Sequence, residues 1–505
     1  MKYVIGIDLG TSSVKVIAVD QAGSIIFSTS ESYPIISKDK DYAEQNPDLW
    51  WQSTLKALKE TISNVKTINS KYQLKAIGVA GQMHGLVMVD KSLKALGNAI
   101  IWSDNRTKKE VEFIKKTLSK SDLKKLSNSV VTNFTAPKLL WVKNNRKDIW
   151  DKIYKFMLPK DYIAFKLSLE ILTDKSDAAA TLLFDIEKGK WAKSIIKKLG
   201  LPQDIFVDVI EAGGRSGFLK ENIQKELKIK TEKVPIILAG GDAPVSAWAS
   251  GATTSAKACI SIGTAGQIII PASKFVVEEE FRVHTLNYVR NNLWYLMGAI
   301  LAAGHNFSWW FNEIIDSDKE IADILSEAEA EVIKTPPGAN GLIYLPFING
   351  ERSPLNDPEA RAVLFGLKST STNIDVIKAI MEGVAFAILS NLKLINKMGI
   401  KIEEIYLTGG GAESKAWAQI MADVLGKEVK ISNNKQGTGY GAALLAAENI
   451  NLIEDADQII TANIEDSNAY TFNLKNHKKY QKIYDIYLNL YQDNQEKFSL
   501  LNKLT

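Results

Sequence analysis

Two short segments of glycine and hydroxyl-bearing residues interrupt apolar runs, one in each half of the chain. The first covers residues 8–13 (DLGTSS) and the second residues 263–266 (GTAG). Glycine lets a backbone approach a ligand closely, and successive amide N–H groups with hydroxyls can surround phosphate oxygens. Lys15 could add a positive charge there, and Asp8 could hold Mg²⁺ through water because magnesium prefers oxygen ligands. The alternative is two ordinary hairpin turns, and neither segment has the spacing of a Walker loop.

An aspartate follows a further apolar run, residues 234–238. Gly240 and Gly241 precede Asp242, and a stretch of small residues follows it. The carboxyl end of a strand is where α/β folds bind ligands, so Asp242 could accept the proton of a hydroxyl that attacks phosphorus. The alternative is a plain N-cap, which Pro244 in the first helical turn would suit.

Two loops add further polar groups. Residues 81–85 (GQMHG) follow the apolar run 76–80 and carry His84, which suits hydrogen bonding to a polyol. Residues 408–414 (TGGGAES) follow the apolar run 405–407, and their three glycines allow a flat adenosine to lie against bare backbone. Unremarkable loops are the alternative in both cases, and no His/Cys group has the spacing of a zinc site.

The elements that must position these groups come from a chain of ordinary globular composition. Of 505 residues, 46% are hydrophobic and 24% charged, and one core stops growing near about 250–300 residues, so at least two domains are expected. The net charge of +4 is too small to indicate nucleic-acid binding. The single cysteine, Cys259, excludes an internal disulfide and fits a reducing compartment. The longest apolar run, residues 293–303, is shorter than the about 20 residues that span a bilayer, so we expect a cytoplasmic protein without membrane contact.

Short apolar runs alternate with stretches of helical spacing, which predicts an α/β architecture in both halves of the chain. Thr11 and Thr264 lie almost half the chain apart in segments of similar design, so either one domain is duplicated or the similarity is chance. Apolar residues at helical spacing over residues 470–501 predict a terminal helix docked on the second domain. We place the two domains at residues 1–252 and 253–505.

Taken in order along the chain, these segments resemble the FGGY family of carbohydrate kinases over about residues 3–450. The longer matching stretches are residues 81–85 (GQMHG), 134–141 (FTAPKLLW), 158–162 (LPKDY), 173–178 (TDKSDA), 350–354 (GERSP) and 356–358 (NDP). The resemblance implies two actin-like, ribonuclease H-like α/β domains with an active-site cleft between them. The first domain would bind the sugar and carry the catalytic base, and the second would bind the nucleotide.

The resemblance also implies a role for each matching position. Asp242 would be the catalytic base, and Asp8 would hold Mg²⁺ through water. The residues expected to bind the sugar are Gln82, Met83, His84, Trp102, Asp104 and Asp242. The residues expected around ATP and its phosphates are Thr11, Ser12, Ser13, Lys15, Gly263, Thr264, Gly304, Gly410, Gly411 and Ser414.

The function that the resemblance implies is ATP- and Mg²⁺-dependent phosphorylation of a small sugar. Most stretches look like the family members that convert D-xylulose to D-xylulose 5-phosphate, which would place the protein in xylose metabolism. Residues 102–107 (WSDNRT) look as much like members that act on gluconate, so gluconate or another polyol is the alternative. From another class, a non-enzymatic actin-like ATPase switch would explain the phosphate turns but neither the His84 loop nor Asp242. The expected partners are the sugar and ATP, and a homodimer is left open.

Overall fold

Both predicted hairpins are present in the computed structural model, which describes residues 1–230, 233–432, 437–465 and 468–504. The first joins Lys2–Leu9 to Ser13–Asp20 in antiparallel fashion and places Asp8 opposite Lys15. The second joins Lys257–Ile262 to Gly266–Ala272. The prediction of two hairpins at the glycine segments is therefore confirmed.

Strands and helices alternate along the chain, as the pattern of apolar runs predicts. The strands are β1 (Lys2–Leu9), β2 (Ser13–Asp20), β3 (Ile25–Ser32), β4 (Glu44–Gln45), β5 (Gln73–Gly81), β6 (Val87–Val89), β7 (Ala99–Ile100), β8 (Lys155–Met157), β9 (Leu172–Asp174), β10 (Phe184–Asp185), β11 (Lys190–Trp191), β12 (Asp208–Ile210), β13 (Gly214–Phe218), β14 (Pro235–Gly241), β15 (Lys257–Ile262), β16 (Gly266–Ala272), β17 (His284–Asn287), β18 (Trp294–Ile300), β19 (Ile343–Leu345), β20 (Val363–Phe365), β21 (Glu404–Thr408), β22 (Val429–Ile431) and β23 (Ala469–Tyr470).

The α-helices are α1 (Pro47–Ile68), α2 (Lys108–Thr117), α3 (Lys120–Leu126), α4 (Thr135–Asn145), α5 (Lys147–Trp150), α6 (Pro159–Ser168), α7 (Lys175–Ala178), α8 (Lys193–Lys198), α9 (Glu221–Glu226), α10 (Asp242–Ala249), α11 (His305–Trp309), α12 (Ile321–Lys334), α13 (Asn373–Lys397), α14 (Lys415–Leu425), α15 (Gly437–Asn449), α16 (Ala456–Glu465) and α17 (Leu474–Leu504). Short 3₁₀ turns cover Ala179–Thr181, Ala339–Gly341 and Gly410–Glu413, and a π-helical turn covers Trp310–Ile314. Among the described residues, no helix is both long and apolar enough to span a membrane.

A large sheet in each half positions the hairpins. The first has the strand order β13-β14-β5-β1-β2-β3, and the second has the order β17-β18-β16-β15-β21-β22-β23. In the first, β1, β5 and β14 are parallel, and their register places Leu9 and Gly241 on either side of Gly81. In the second, β15 and β21 are parallel, with Ser261 beside Thr408. Because the carboxyl ends of neighbouring parallel strands meet at one edge, the loops after these strands converge.

Helix α15 packs on the first sheet, although it lies in the second half of the sequence. Its main chain is in direct contact with β1 and β5, since a Cβ at Gly6 would collide with the carbonyl oxygen of Gly439 and one at Gly78 with that of Ala442. Glycine at both strand positions is what allows this approach. Helix α15 therefore packs across a boundary placed at residue 252. The domain boundary between residues 252 and 253 stays a prediction.

The terminal helix α17 docks on α13 and α14 of the second half, which confirms its predicted placement. Its buried side chains are Tyr480, Tyr484, Tyr487, Tyr491 and Phe498. The helix begins at Leu474 and not near residue 470, because Tyr470 pairs in a strand and the side chain of Asn473 accepts the first free N–H groups.

Candidate active site

The parallel strands of the first sheet bring three predicted site residues to the same edge. Asp8 is near the end of β1, His84 follows β5 and Asp242 begins the helix directly after β14. Neighbouring strands lie about 4.8 Å apart, so the three residues surround one region of space. The sequence prediction that places polar groups at strand ends is confirmed for this edge.

A cavity of about 190 Å³ opens beside these strand ends and is lined by residues of both halves. Cavities for drug-sized ligands have about 300–1,000 Å³, so this one suits a smaller polar molecule such as a monosaccharide. We call it the small cavity. From the first half it is lined by Thr11, Met83, His84, Trp102, Asn133, Asp242 and Ala243, and from the second by Gln267, Leu286, Tyr295, Met297, Ala299 and Arg352.

A second cavity, of about 850 Å³, lies on the second half and is large enough for a nucleotide. Asp242 lines the small cavity and Ser246 lines this large one; they lie one turn apart on α10, about 6 Å along the helix axis. The two cavities are therefore neighbours. The large cavity is lined by Ser246, Ser261, Thr408, Gly409, Gly410, Ala412, Glu413, Lys415, Ile431, Ser432, Gly437, Asn468 and Tyr470.

Asp242 is the first residue of α10, and the cap position is taken by Gly241. The N-cap alternative considered for Asp242 is therefore wrong, and its side chain does not close the helix end. Its carboxylate accepts a hydrogen bond from the Ala243 N–H at 2.8 Å. Burial raises the pKa of Asp242 to about 6. A carboxylate with a pKa this close to neutrality can take up a proton and give it back at physiological pH.

His84 has a left-handed backbone, with φ of 66°, that turns its ring back toward the 3₁₀ turn after α7. Its Nδ1 lies 2.8 Å from the carbonyl oxygen of Ala180. Because a carbonyl only accepts, Nδ1 carries the hydrogen and Nε2 is left as an acceptor. Burial lowers the pKa of His84 to about 3, so the ring is neutral and ready to accept a hydroxyl hydrogen.

Lys138 fixes the main chain of the His84 loop, a role that the sequence does not predict. Its buried ammonium donates to the carbonyl oxygens of His84 at 2.8 Å and of Asn133 at 2.5 Å. The Thr135 hydroxyl donates to the same His84 oxygen at 3.1 Å. His84 and Asn133 both line the small cavity, so Lys138 holds two of its lining residues in place. The stretch 134–141 matched the family, but only the fold shows what its lysine contacts.

The first hairpin turn meets the small cavity through Thr11. The Thr11 hydroxyl accepts a hydrogen bond from the Trp102 indole N–H at 2.8 Å, and both residues line the cavity. Ser12 is exposed at the tip of the turn, and the carbonyl of Ser13 accepts from the Gly10 N–H. Lys15 lies across the hairpin from Asp8 and adds a positive charge beside it.

Asp8 meets the requirements for a carboxylate that holds a cation. Its Oδ1 is buried and has no hydrogen-bond partner among the described residues. Burial and the nearby Asp242 carboxylate raise the pKa of Asp8 to about 7, while Lys15 opposes them. Within the described ranges no group of three or more His, Cys, Asp or Glu side chains forms a metal site. A cation here would thus take most of its ligands from water or a bound phosphate, as Mg²⁺ commonly does.

The second hairpin turn is exposed at Gly263 and Thr264 and is anchored from behind. Gly304 packs closely enough that a Cβ would lie 2.7 Å from the Gly263 oxygen, to which the Gly304 N–H donates. Of the glycine loop, Gly410 lines the large cavity, whereas Gly411 is buried against Ile262.

Ser414 and Gln82 are predicted site residues that do not line either cavity. The Ser414 hydroxyl caps α14 by accepting from the Trp417 N–H at 3.2 Å, and it donates to Glu329 at 2.8 Å. Gln82 is fully buried, and its amide donates to Gln45 at 2.9 Å behind the first hairpin turn. Both residues support the loops that carry the cavity walls.

Asp104 is placed away from the small cavity, in contrast to the predicted sugar contact. Its carboxylate is fully buried and binds the Arg106 guanidinium through both oxygens, with the Ala43 N–H donating at 2.7 Å. Arg106 also pairs with Glu44. A carboxylate engaged in this way orders the loop that carries Trp102, and Trp102 itself reaches the cavity.

A buried cluster of charged side chains stands behind Asp242. Asp174 accepts the Ser176 hydroxyl at 2.5 Å, and the Ser176 oxygen accepts the Gly241 N–H at 3.1 Å. This chain fixes the backbone immediately before Asp242. The charged members are Lys160, Asp161, Asp174 and Asp177, with the lysine bridging the three carboxylates.

Two domains of mixed α/β build, meeting over a small cavity with a nucleotide-sized one beside it, have the architecture of sugar kinases. Residues 3–249 match the model of the FGGY family of carbohydrate kinases, N-terminal domain, and residues 258–449 match that of the C-terminal domain. The chain belongs to the FGGY family of carbohydrate kinases. The predicted family and fold class are confirmed.

Several relatives resemble the chain over nearly its full length. The xylulose kinase of Staphylococcus xylosus is 35% identical over 97% of this chain and 100% of that protein. The xylulose kinase of Bacillus subtilis is 35% identical over 97% of each. A crystal structure described as a xyloylose kinase from Brucella ovis is 27% identical, with a TM-score of 0.90 over 97% of this chain and 98% of that one.

Proposed function

We propose that this chain transfers the γ-phosphoryl group of ATP to the terminal hydroxyl, O5, of D-xylulose and forms D-xylulose 5-phosphate. The observation that supports D-xylulose as the substrate is a relative named xylulose kinase, which is 35% identical to this chain over the full length of the relative. The small cavity supports it, because its volume and its polar lining suit a monosaccharide. The proposed site is the pair of neighbouring cavities joined by α10.

In the proposed reaction the sugar lies in the small cavity with O5 toward Asp242. The carboxylate takes the proton of this hydroxyl as the oxygen attacks phosphorus, and the neutral His84 ring accepts a hydrogen bond from another hydroxyl. Phosphoryl transfer depends mainly on in-line positioning and on stabilising charge, which is why fixed groups suffice. The Ser176 and Lys138 contacts keep the Asp242 and His84 backbones in place.

ATP would occupy the large cavity, with adenosine against the bare backbone of Gly409 and Gly410. Its phosphates would extend toward the hairpin turns at residues 11–13 and 263–264, near the charge of Lys15. Asp8 would hold Mg²⁺ through water, and bound Mg²⁺ supplies neutralisation of the phosphate charge. The domains close around both substrates in this proposal, which keeps water from competing as the acceptor.

We expect kcat to fall as the pH drops below about 6. Asp242 must be ionised to accept a proton, and its pKa is raised to about 6, so the base is lost as the pH falls through that value. The measurement is kcat from pH 5 to pH 8 at saturating D-xylulose and ATP. The fall in kcat at low pH should persist in His84→Asn, because the pKa of His84 is about 3 and His84 does not titrate between pH 5 and pH 8. A constant kcat down to pH 5 would contradict the assignment of Asp242.

A coupled assay of ADP release tests the proposed substrate. D-Xylulose, D-ribulose, D-gluconate and glycerol are compared at equal concentrations, with a control lacking any sugar. We expect kcat/KM to be highest for D-xylulose, because a site loses orders of magnitude when a hydrogen-bonded hydroxyl is missing. A higher value for D-gluconate would favour the sugar-acid alternative. ADP release that does not depend on sugar would favour the ATPase switch.

A further inference from the structure

Arg352 differs from most other arginines in that its guanidinium has no hydrogen-bond or ion-pair partner among the described residues. Arg106, Arg146, Arg282 and Arg290 each form ion pairs with carboxylates. For the Arg352 guanidinium, no hydrogen bond or ion pair is present in the part of the chain that the structure describes. Its own neighbour Glu351 does not pair with it, since that carboxylate accepts the N–H groups of Leu301 and of Arg352 itself.

The Arg352 guanidinium belongs to a residue of the small cavity, where a ligand could be its partner. Arg352 lines the small cavity, and burial lowers its pKa. The Glu351 charge acts favourably on Arg352 without a hydrogen bond between the two side chains, and buried charges are ordinarily paired directly. Across the same cavity, the Tyr295 hydroxyl is also buried and has no partner among the described residues. The Arg352 guanidinium and the Tyr295 hydroxyl, both from the second half, therefore line the small cavity without a side-chain partner among the described residues.

Arg352 lies close to two histidine rings. Its charge acts on the rings of His84 and His284, and lowers their pKa. The His284 ring packs against Phe134, which in turn packs against His84, so the rings behind His84 are in continuous contact.

The charged and imidazole groups on the two sides of the cavity differ in the hydrogen bonds that they can make. Asp242 and Nε2 of His84, on the first half, can only accept, so they suit hydroxyl groups. Arg352, on the second half, can only donate, so it needs an acceptor on the ligand. A carbonyl oxygen is such a group, because it has no hydrogen of its own to satisfy.

We propose that Arg352 donates to the carbonyl oxygen of the bound sugar and thereby makes the enzyme select ketoses over the corresponding polyols. This inference rests on the proposed phosphorylation of a ketopentose. It assigns substrate selection to the second half of the chain, whereas Asp242 and His84 belong to the first. The sugar then joins the two domains through its own oxygens.

The test compares D-xylulose with xylitol and D-arabinitol, the two pentitols made by reducing its carbonyl. In Arg352→Met, kcat/KM for D-xylulose should fall about 10- to 100-fold, the range for losing a hydrogen bond to a charged group, and mainly through KM. The values for the pentitols should change little, so the preference for the ketose largely disappears. Arg352→Lys, which keeps a charged donor, should retain part of the preference.

Folding is checked by thermal unfolding of each variant, and Arg361→Met serves as the control arginine of the same domain. Removing an unpaired guanidinium leaves no buried carboxylate without an ion-pair partner, so Arg352→Met should fold. An unchanged ketose preference in Arg352→Met would overturn the inference while leaving the proposed function in place. A loss of kcat that is equal for all three sugars would also overturn it, since it would place Arg352 at the phosphoryl group. Absence of D-xylulose turnover in the unaltered protein would overturn the proposed function itself.

Discussion

Asp242→Asn should abolish phosphoryl transfer and leave sugar binding largely intact. The amide has nearly the same shape and can still accept the Ala243 N–H, but it cannot take the proton of the attacking hydroxyl. General-base catalysis contributes about 10²- to 10⁴-fold, so we expect kcat to fall by at least that factor. Turnover is measured by ADP release with D-xylulose, and sugar binding by titration calorimetry.

The control for this variant is Asp208→Asn, which changes an exposed carboxylate that lines neither the small nor the large cavity. It should leave kcat and sugar affinity as they are. Turnover of Asp242→Asn close to that of the unaltered chain would refute the assignment of the base. Loss of sugar binding together with turnover would instead indicate that Asp242 mainly positions the substrate.

Gly78→Ala should destabilise the whole protein. A Cβ at this position would collide with the carbonyl oxygen of Ala442, and a main-chain atom in the middle of a packed helix cannot turn aside. Overpacking typically costs about 1–3 kcal/mol, and the depth of this collision places the cost at the upper end of that range or beyond it. The measurement is the midpoint of thermal unfolding together with the yield of folded protein.

Gly266→Ala is the matched control, since Gly266 is also a buried strand glycine. There an added Cβ would lie 3.4 Å from the nearest atom of Ile300 and 3.6 Å from Ala303, which is ordinary contact. Its unfolding midpoint should stay close to that of the unaltered chain. If both variants unfold at the same temperature, the close approach of α15 to the sheet is not a constraint on stability.

The parts of the candidate site whose placement follows from the sequence are those set by local pattern. Apolar runs that end in glycine predict strands and turns, and residues such as Asp8 and Asp242 follow from where a strand stops. Parallel pairing then brings these ends together without further information. His84 and Trp102 were found through their motifs, and the structure places both on the small cavity.

The parts that sequence did not predict depend on contacts between distant segments. Arg352 and Tyr295 reach the small cavity only because β18 and the loop after β19 pack against the first half, and no spacing in the sequence reports that. Asp104, whose predicted sugar contact stays a prediction, does not line the small cavity, for the opposite reason. Its partner Arg106 is two residues away, and a carboxylate satisfied so locally need not face a ligand, whatever motif surrounds it.

The packing of α15 on the first sheet has a consequence for how the chain is made. The face of the first sheet under this helix, which includes Val4 and Ile17, lacks the cover of α15 until residues 437–449 have been synthesised. At about 5–20 residues per second, the first half would wait on the order of 10–40 s on the ribosome without that cover. The first sheet therefore acquires its full packing only when synthesis of the second half is almost finished.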